Sequence, residues 1–166
     1  YSWGFSPYLE HRDTLLGDCP QMVADQRFIH LGLDIIVPLA TPLHAPLDGV
    51  VAERGYESGE GNYGAFVLLR HEASGAGSDF KPFYSFYGHL NRDLLPAVGE
   101  GVTAGAAFAE IGDFQDNGNW FHHTHLQVIT EEGLASGYLS KGYCAAADLR
   151  EIDALCPNPI PLFRRS

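Results

Sequence analysis

His123-Thr124-His125-Leu126-Gln127-Val128-Ile129-Thr130 is the stretch on which the reading of this chain turns. Its β-branched and apolar content suits a strand, and residues i and i+2 of a strand point to the same side, roughly 7 Å apart. His123 and His125 therefore share one face, so that one can hold a metal ion while the other addresses water or substrate beside it. His122 has the wrong parity to join them. A polar loop at 113–119 leads into this run, and loops beside a rigid sheet are where substrate grooves form.

Working outward, short apolar stretches recur at 35–37, 50–53, 65–71, 83–88 and 107–111, separated by Gly, Pro and the pair Asp48-Gly49. Such spacing predicts an all-β dominated domain, a compact antiparallel sandwich or barrel-like scaffold with long loops. A Ser/Gly/Ala loop is expected at 73–79. Helix is scarce: residues 145–155 carry Leu149, Ile152 and Leu155 at i, i+3 and i+6, predicting a short C-terminal helix, and a turn is expected near 91–95. Residues 1–27 mix aromatics, Pro7 and Pro20 without a period, which predicts an irregular arm. The organisation expected is one domain over 1–166, with its core at about 28–130 and a C-terminal extension at 131–166.

The 166 residues suffice for a self-sufficient core, and no apolar run reaches the roughly 20 residues that span a bilayer. Membrane insertion is not expected. The net charge of -11 repels polyphosphate backbones, so nucleic acid is not expected as a partner. Cys19, Cys144 and Cys156 show no CxxC spacing; a Cys144–Cys156 bridge and buried free thiols are both compatible with the sequence. The chain begins at Tyr1, which is compatible with a trimmed leader or preceding domain.

The chemistry-bearing residues are His30, Asp34, His89, His123 and His125: an HxxxD, a lone His in Tyr87-Gly88-His89-Leu90, and the HxH. Three N/O ligands with no obligatory fourth suit a catalytic zinc ion, which must keep one position for water. His30 and Asp34 could share a helical face, yet Gly32 between them and Ile35-Ile36-Val37-Pro38 after them favour a strand or turn. Taken singly, a histidine is more often structural than ligating, and His11, His44, His71 and His122 keep that reading. The combination carries the argument.

In order along the chain, His30-Leu31-Gly32-Leu33-Asp34, Pro38-Leu39-Ala40-Thr41-Pro42-Leu43, Ala45-Pro46-Leu47-Asp48-Gly49-Val50-Val51, Gly61-Asn62-Tyr63-Gly64, Val67-Leu68-Leu69-Arg70-His71, Tyr87-Gly88-His89-Leu90, Val98-Gly99, Ile111-Gly112 and His123-Thr124-His125-Leu126 resemble the lysostaphin-type zinc metalloendopeptidases, which cut peptide bonds in bacterial peptidoglycan. The resemblance implies one Zn2+ held by His30, Asp34 and His125, with His89 and His123 lining the cleft as catalytic groups. It implies a peptide or peptidoglycan substrate with Gly- or D-Ala-containing bonds, and a periplasmic or extracellular location. No HExxH helix supplies a glutamate base, so proton transfer falls to histidine. His123 as general base and His89 as oxyanion stabiliser is one assignment; the reverse satisfies the same residues. Tyr63, Tyr87, Asn117 and Trp120 are candidates for the substrate groove, with plain packing as the competing reading.

The chain departs from the family pattern at Ala40, where Gly is usual, at Thr124 within HxH, and at Leu126-Gln127, where Phe-Glu is common. None of these removes a ligand or a catalytic histidine. The tail from Gly142 through Pro159 resembles the ending of family modules joined to aminotransferase-type enzymes, which implies further domains and a cytoplasmic location instead. A catalytically inactive binding or regulatory module, or an accessory domain of a larger metabolic enzyme, is the alternative to a peptidase; the five filled positions weigh against it.

Overall fold

The computed structural model describes residues 3–72 and 81–163, so the loop expected at 73–79 lies outside the described residues. Eleven strands are described: β1 Gly4–Ser6, β2 Ile29–His30, β3 Leu33–Ile36, β4 Pro42–His44, β5 Gly49–Glu57, β6 Gly64–His71, β7 Phe83–Leu90, β8 Gly101–Val102, β9 Ala107–Glu110, β10 His123–Thr130 and β11 Tyr143–Cys144. Seven form one sheet in the order β1-β3-β10-β7-β6-β5-β8, every pairing antiparallel. Two ribbons, β2 with β11 and β4 with β9, flank it. The expected antiparallel, β-dominated architecture is the one observed.

The central strands are long apolar runs because both faces of the sheet are covered. On β6, Phe66 and Leu68 join a core with Ile29, Phe86, Ile129, Ile152 and Leu155, beneath the β2–β11 ribbon and the C-terminal segment. Ala65, Val67 and Leu69 alternate with them and pack on the opposite side with Tyr87, Leu90, Leu126 and Phe108, beneath the β4–β9 ribbon. Strict period-2 alternation assigns each side chain to its face.

Two expectations need correction. Residues 1–27 are more regular than an irregular arm: β1 adds an edge strand with Gly4 opposite Ile36 and Ser6 opposite Asp34, and helices α1 Asp13–Leu16 and α2 Pro20–Asp25 follow. A strand of three residues and helices of four and six are too short to show a period. Their order comes from partners elsewhere, Ile36 to Asp34 for β1 and the Leu16–Met22–Tyr143 cluster for the helices. In the C-terminal extension, α3 Glu131–Ala135 follows β10 directly, with the Thr130 side chain capping it through the Gly133 N–H at 3.0 Å. The stretch at 145–155 is not one helix. A 3-10 segment Ala146–Arg150 precedes α4 Ile152–Leu155, which buries Ile152 and Leu155 and leaves Leu149 39% exposed. Leu149 fitted the periodic stripe but finds no core to cover it. Among the described residues no helix is long and apolar enough to cross a membrane. Cys144 and Cys156 are buried free thiols and Cys19 is half-buried.

Candidate active site

The site is a row laid across three adjacent strands. The antiparallel register places His125 of β10 opposite Asp34 of β3 on one side and Gly88 of β7 on the other. Directly opposed residues share a face, so Asp34 and His125 are set side by side by backbone pairing alone. Gly88 leaves room on the third strand: a Cβ there would meet the Tyr63 ring at 2.9 Å. His30 arrives from β2 across a bend at Gly32, which is the extended, non-helical course expected for HxxxD. That bend needs glycine, because a Cβ at position 32 would lie 2.7 Å from the Leu126 carbonyl oxygen and would strike the His125 ring.

Three atoms converge. His30 Nε2 is 2.9 Å from His125 Nδ1 and 3.1 Å from Asp34 Oδ1, and His125 Nδ1 is 3.0 Å from Asp34 Oδ1. The remaining hydrogen bonds show which of these atoms carry lone pairs. His125 Nε2 faces Gln127 Oε1 at 3.0 Å, and the Gln127 amide nitrogen is surrounded by acceptors, the Tyr138 and Lys141 carbonyls and Cys156 Sγ. The Gln127 oxygen therefore accepts from His125 Nε2–H, leaving Nδ1 unprotonated. His30 Nδ1 lies between the Pro7 carbonyl at 3.2 Å and the Arg12 guanidinium at 3.0 Å, so Nε2 carries its lone pair in the tautomer whose Nδ1–H donates to Pro7. In that tautomer two imidazole lone pairs and a carboxylate oxygen, all buried, face one another within about 3 Å. Such a cluster is repulsive unless a cation occupies its centre. A tetrahedral ion with N and O bonds near 2.1 Å has an edge of about 3.4 Å, so a slight outward relaxation of this triangle seats it. The donor set fits a metal ion.

Electrostatics agree. Burial opposes ionisation of Asp34, but the adjacent His30 and His125 rings outweigh it and hold the carboxyl well below its usual range. Burial pushes His30 down from the ordinary histidine value. It does the same to His123, and it holds His89 well below that value, assisted by the neighbouring His123 and His125. Neutral imidazoles are what metal ligation and base chemistry need.

His89 and His123 sit beside this triad with ring centroids 4.2 Å apart. Strand alternation would send His89 to the face opposite Gly88. Instead the backbone turns left-handed there, at φ +66°, and the ring reaches the side of His123. Left-handed φ in a non-glycine residue is uncommon and is held here by the surroundings: the His89 N–H donates to the Tyr63 carbonyl at 2.9 Å, and Gly112 N–H donates to the His89 carbonyl at 3.0 Å. Both rings are oriented alike. His89 Nδ1–H donates to the Asn117 carbonyl at 2.8 Å and His123 Nδ1–H to the Phe121 carbonyl at 2.7 Å, leaving each Nε2 as a free acceptor.

Of the four groove candidates, Tyr63 and Trp120 line the cleft with Asp34, His89, His123 and His125. The Tyr63 hydroxyl and the Trp120 indole N–H are buried polar groups without a hydrogen-bond partner among the described residues. Asn117 is buried behind the cleft; its side chain ties its own loop by accepting from Trp120 N–H at 3.0 Å and donating to the Trp120 carbonyl at 2.9 Å. Tyr87 is a correction: it faces the other side of β7, packed edge-on against Phe108 at 4.9 Å, because it is one residue out of step with Gly88. His11, His44, His71 and His122 stay outside the cleft lining.

Sequence reasoning missed Arg12, Tyr143 and the ligand-supporting role of Gln127. Gln127 had a signal, a polar residue two positions beyond His125 on the same strand face. Arg12 had none, because its arm carries no period. Ala40, standing where the family has Gly, adopts a left-handed φ of +59°, the conformation that explains the usual residue.

With this geometry in hand, comparison with known proteins assigns the domain. The model of peptidase family M23 matches residues 28–135, most of the chain. The chain belongs to peptidase family M23. It is 33% identical over 90 residues to the peptidoglycan DD-endopeptidase ShyC of Vibrio cholerae, which covers 54% of this chain and 18% of that protein. The chain thus spans under a fifth of that relative's length. Among solved structures, lysostaphin from Staphylococcus simulans superimposes with a TM-score of 0.56 at 18% identity, covering 97% of this chain and 49% of that one. A zinc-containing peptidase from Vibrio cholerae gives a TM-score of 0.51 at 23% identity, covering 75% and 31%. All five histidine and aspartate positions of this M23 site fall within the matched residues, whereas Arg12 and Tyr143 fall outside them.

Proposed function

We propose that this M23 domain is a zinc-dependent endopeptidase that hydrolyses peptide bonds in peptidoglycan cross-bridges or in short peptides containing Gly or D-Ala. The observation carrying this reading is the buried triangle of lone-pair atoms from His30, Asp34 and His125, flanked by two imidazoles with free Nε2 atoms. The named activity of the Vibrio cholerae relative supports peptidoglycan as the substrate class. His30 Nε2, Asp34 Oδ1 and His125 Nδ1 would hold the zinc ion, which would supply Lewis-acid polarisation of a peptide carbonyl and a lowered pKa for the attacking water.

The chain's own residues handle the protons. His123 is assigned the general base: its Nε2 is the free acceptor, and at 3.9 Å from Asp34 Oδ1 the imidazolium formed on proton uptake has a stabilising negative neighbour. Its Nδ1–H stays on the Phe121 carbonyl throughout, so the ring keeps its orientation while Nε2 changes from acceptor to donor. His89 also begins as an acceptor; it stabilises a developing oxyanion only once its own Nε2 carries a proton. The Tyr63 and Trp120 rings that line the cleft are assigned to contact the substrate, and the enclosed cleft limits competition from water.

The test is release of new amino groups from purified peptidoglycan, oligoglycine and D-Ala-containing peptides. Hydrolysis is expected to stop on chelation and return with zinc, and His123→Ala is expected to keep its zinc while losing about 10²–10⁴-fold in kcat. Full activity in His123→Ala with metal in place would remove that residue from the chemistry. No release from any of the three substrates by the zinc-loaded protein would overturn the peptidase reading.

A further inference from the structure

The two extensions outside the family match meet beside the candidate metal ligands, where Arg12 and Tyr143 line the cleft with Asp34 and His125. Arg12, on the N-terminal arm, is 7% exposed, which is rare for arginine and demands partners. Its Nη1 lies 2.8 Å from Asp34 Oδ2 and donates to the Tyr143 hydroxyl at 3.0 Å; its Nε donates to Glu10 Oε2 at 2.6 Å; its Nη2 is 3.0 Å from His30 Nδ1. Tyr143 belongs to β11, whose pairing places it opposite His30. The arm and the C-terminal extension thus grip one guanidinium between them and hold it against Asp34 at the edge of the cleft.

The division of labour at Asp34 is the informative feature. Oδ1 faces His30 and His125, while Oδ2 is engaged by Arg12. A free carboxylate can present both oxygens to a cation. A guanidinium fixed on Oδ2 by Glu10 and the Tyr143 hydroxyl withdraws that oxygen.

We propose that Arg12 is a positioning residue that holds Asp34 to a single ligating oxygen and so keeps one coordination position of the metal open for water or substrate. The inference rests on reading His30, Asp34 and His125 as a metal centre. It makes the two extensions working parts of the site: without the arm, the family core keeps all three ligands but loses control of how the carboxylate binds. Lysine cannot substitute fully, because a point charge cannot reach Glu10, Tyr143 and Asp34 together as the planar fork does.

The experiment loads the full chain with cobalt(II), whose visible absorption weakens as coordination rises from four to five, and with zinc for X-ray absorption at the metal edge. Wild type is expected to show an intense four-coordinate cobalt spectrum and one Asp34 oxygen at bonding distance from zinc. Arg12→Gln is expected to give a weaker, five-coordinate spectrum, with both Asp34 oxygens at bonding distance from zinc. Arg12→Lys is expected to fall between them. A folded Arg12→Gln protein with an unchanged spectrum would overturn the inference. So would two Asp34 oxygens on zinc in the wild type, a measurement that holds even where the variant fails to fold. Failure of wild type to bind either cation would instead overturn the metal-centre reading beneath it.

Discussion

On one face of the central sheet, His71 of β6 has both ring nitrogens occupied: Nδ1–H donates to the Asp48 carbonyl at 2.8 Å and Nε2 meets the Ser85 hydroxyl at 2.7 Å. On the other face, His125 spends Nε2 on the Gln127 oxygen, His30 Nδ1 lies between the Pro7 carbonyl and Arg12, and both rings turn their other nitrogen toward Asp34. All are buried, and all sit in or beside strands of the same fold. Burial of a histidine is therefore no mark of function. What separates the two faces is whether the protein satisfies both nitrogens itself or leaves lone pairs converging on a point, and only the second arrangement asks for a cation.

The strongest way to break that comparison is to delete a nitrogen from each face. His125→Ala is expected to lose bound zinc, measured by metal analysis of the dialysed protein, and to lose hydrolysis by at least about 10³-fold, since the chemistry assigned to the metal goes with it. His71→Phe is expected to retain both metal and activity. It leaves the Ser85 hydroxyl and the Asp48 carbonyl short of a partner, so its cost falls on folding, about 1–3 kcal/mol by denaturant unfolding. Zinc loss in His71→Phe, or zinc retention in His125→Ala, would erase the distinction between the faces.

A finer test uses pH. Burial lowers the folded-state values of His30, His71, His89 and His123. The unfolded chain therefore binds more protons than the folded one below about pH 6.5, and stability is complete above that value and lost as pH falls beneath it. For metal-free protein, unfolding free energy is expected to decline between pH 6.5 and 5. His71→Phe is expected to flatten that decline by up to one proton's worth, about 1.4 kcal/mol per pH unit. A parallel slope in the variant would show that His71 does not titrate with the fold. Zinc requires the same neutral ligands, so loading the site is expected to raise stability more at pH 7 than at pH 5.5.

Much of this site was legible because strand chemistry is periodic. His123 and His125 share a face by parity, and an HxxxD interrupted by Gly32 and followed by β-branched residues could be placed in extended chain before any coordinates. Parity also explains the failures. Tyr87 lies one residue from Gly88 and so belongs to the opposite core, while His89 escapes parity through a left-handed residue that no composition rule announces. Arg12 was invisible for a different reason: its partners Asp34 and Tyr143 are 22 and 131 positions away, and no local pattern links them.

The amino-acid order by itself determined the β-dominated architecture and the shared face of the HxH pair, because these follow from backbone alternation, and the resemblance it carries pointed to His30, Asp34 and His125 as candidate ligands. Tertiary structure alone decided the rest. It set which nitrogen of each imidazole is free, turned His89 into the cleft, moved Asn117 behind it, and brought an arginine from the arm onto the second oxygen of Asp34. Those outcomes depend on hydrogen bonds between segments far apart in the chain, and their distances exist only once the sheet has closed its register.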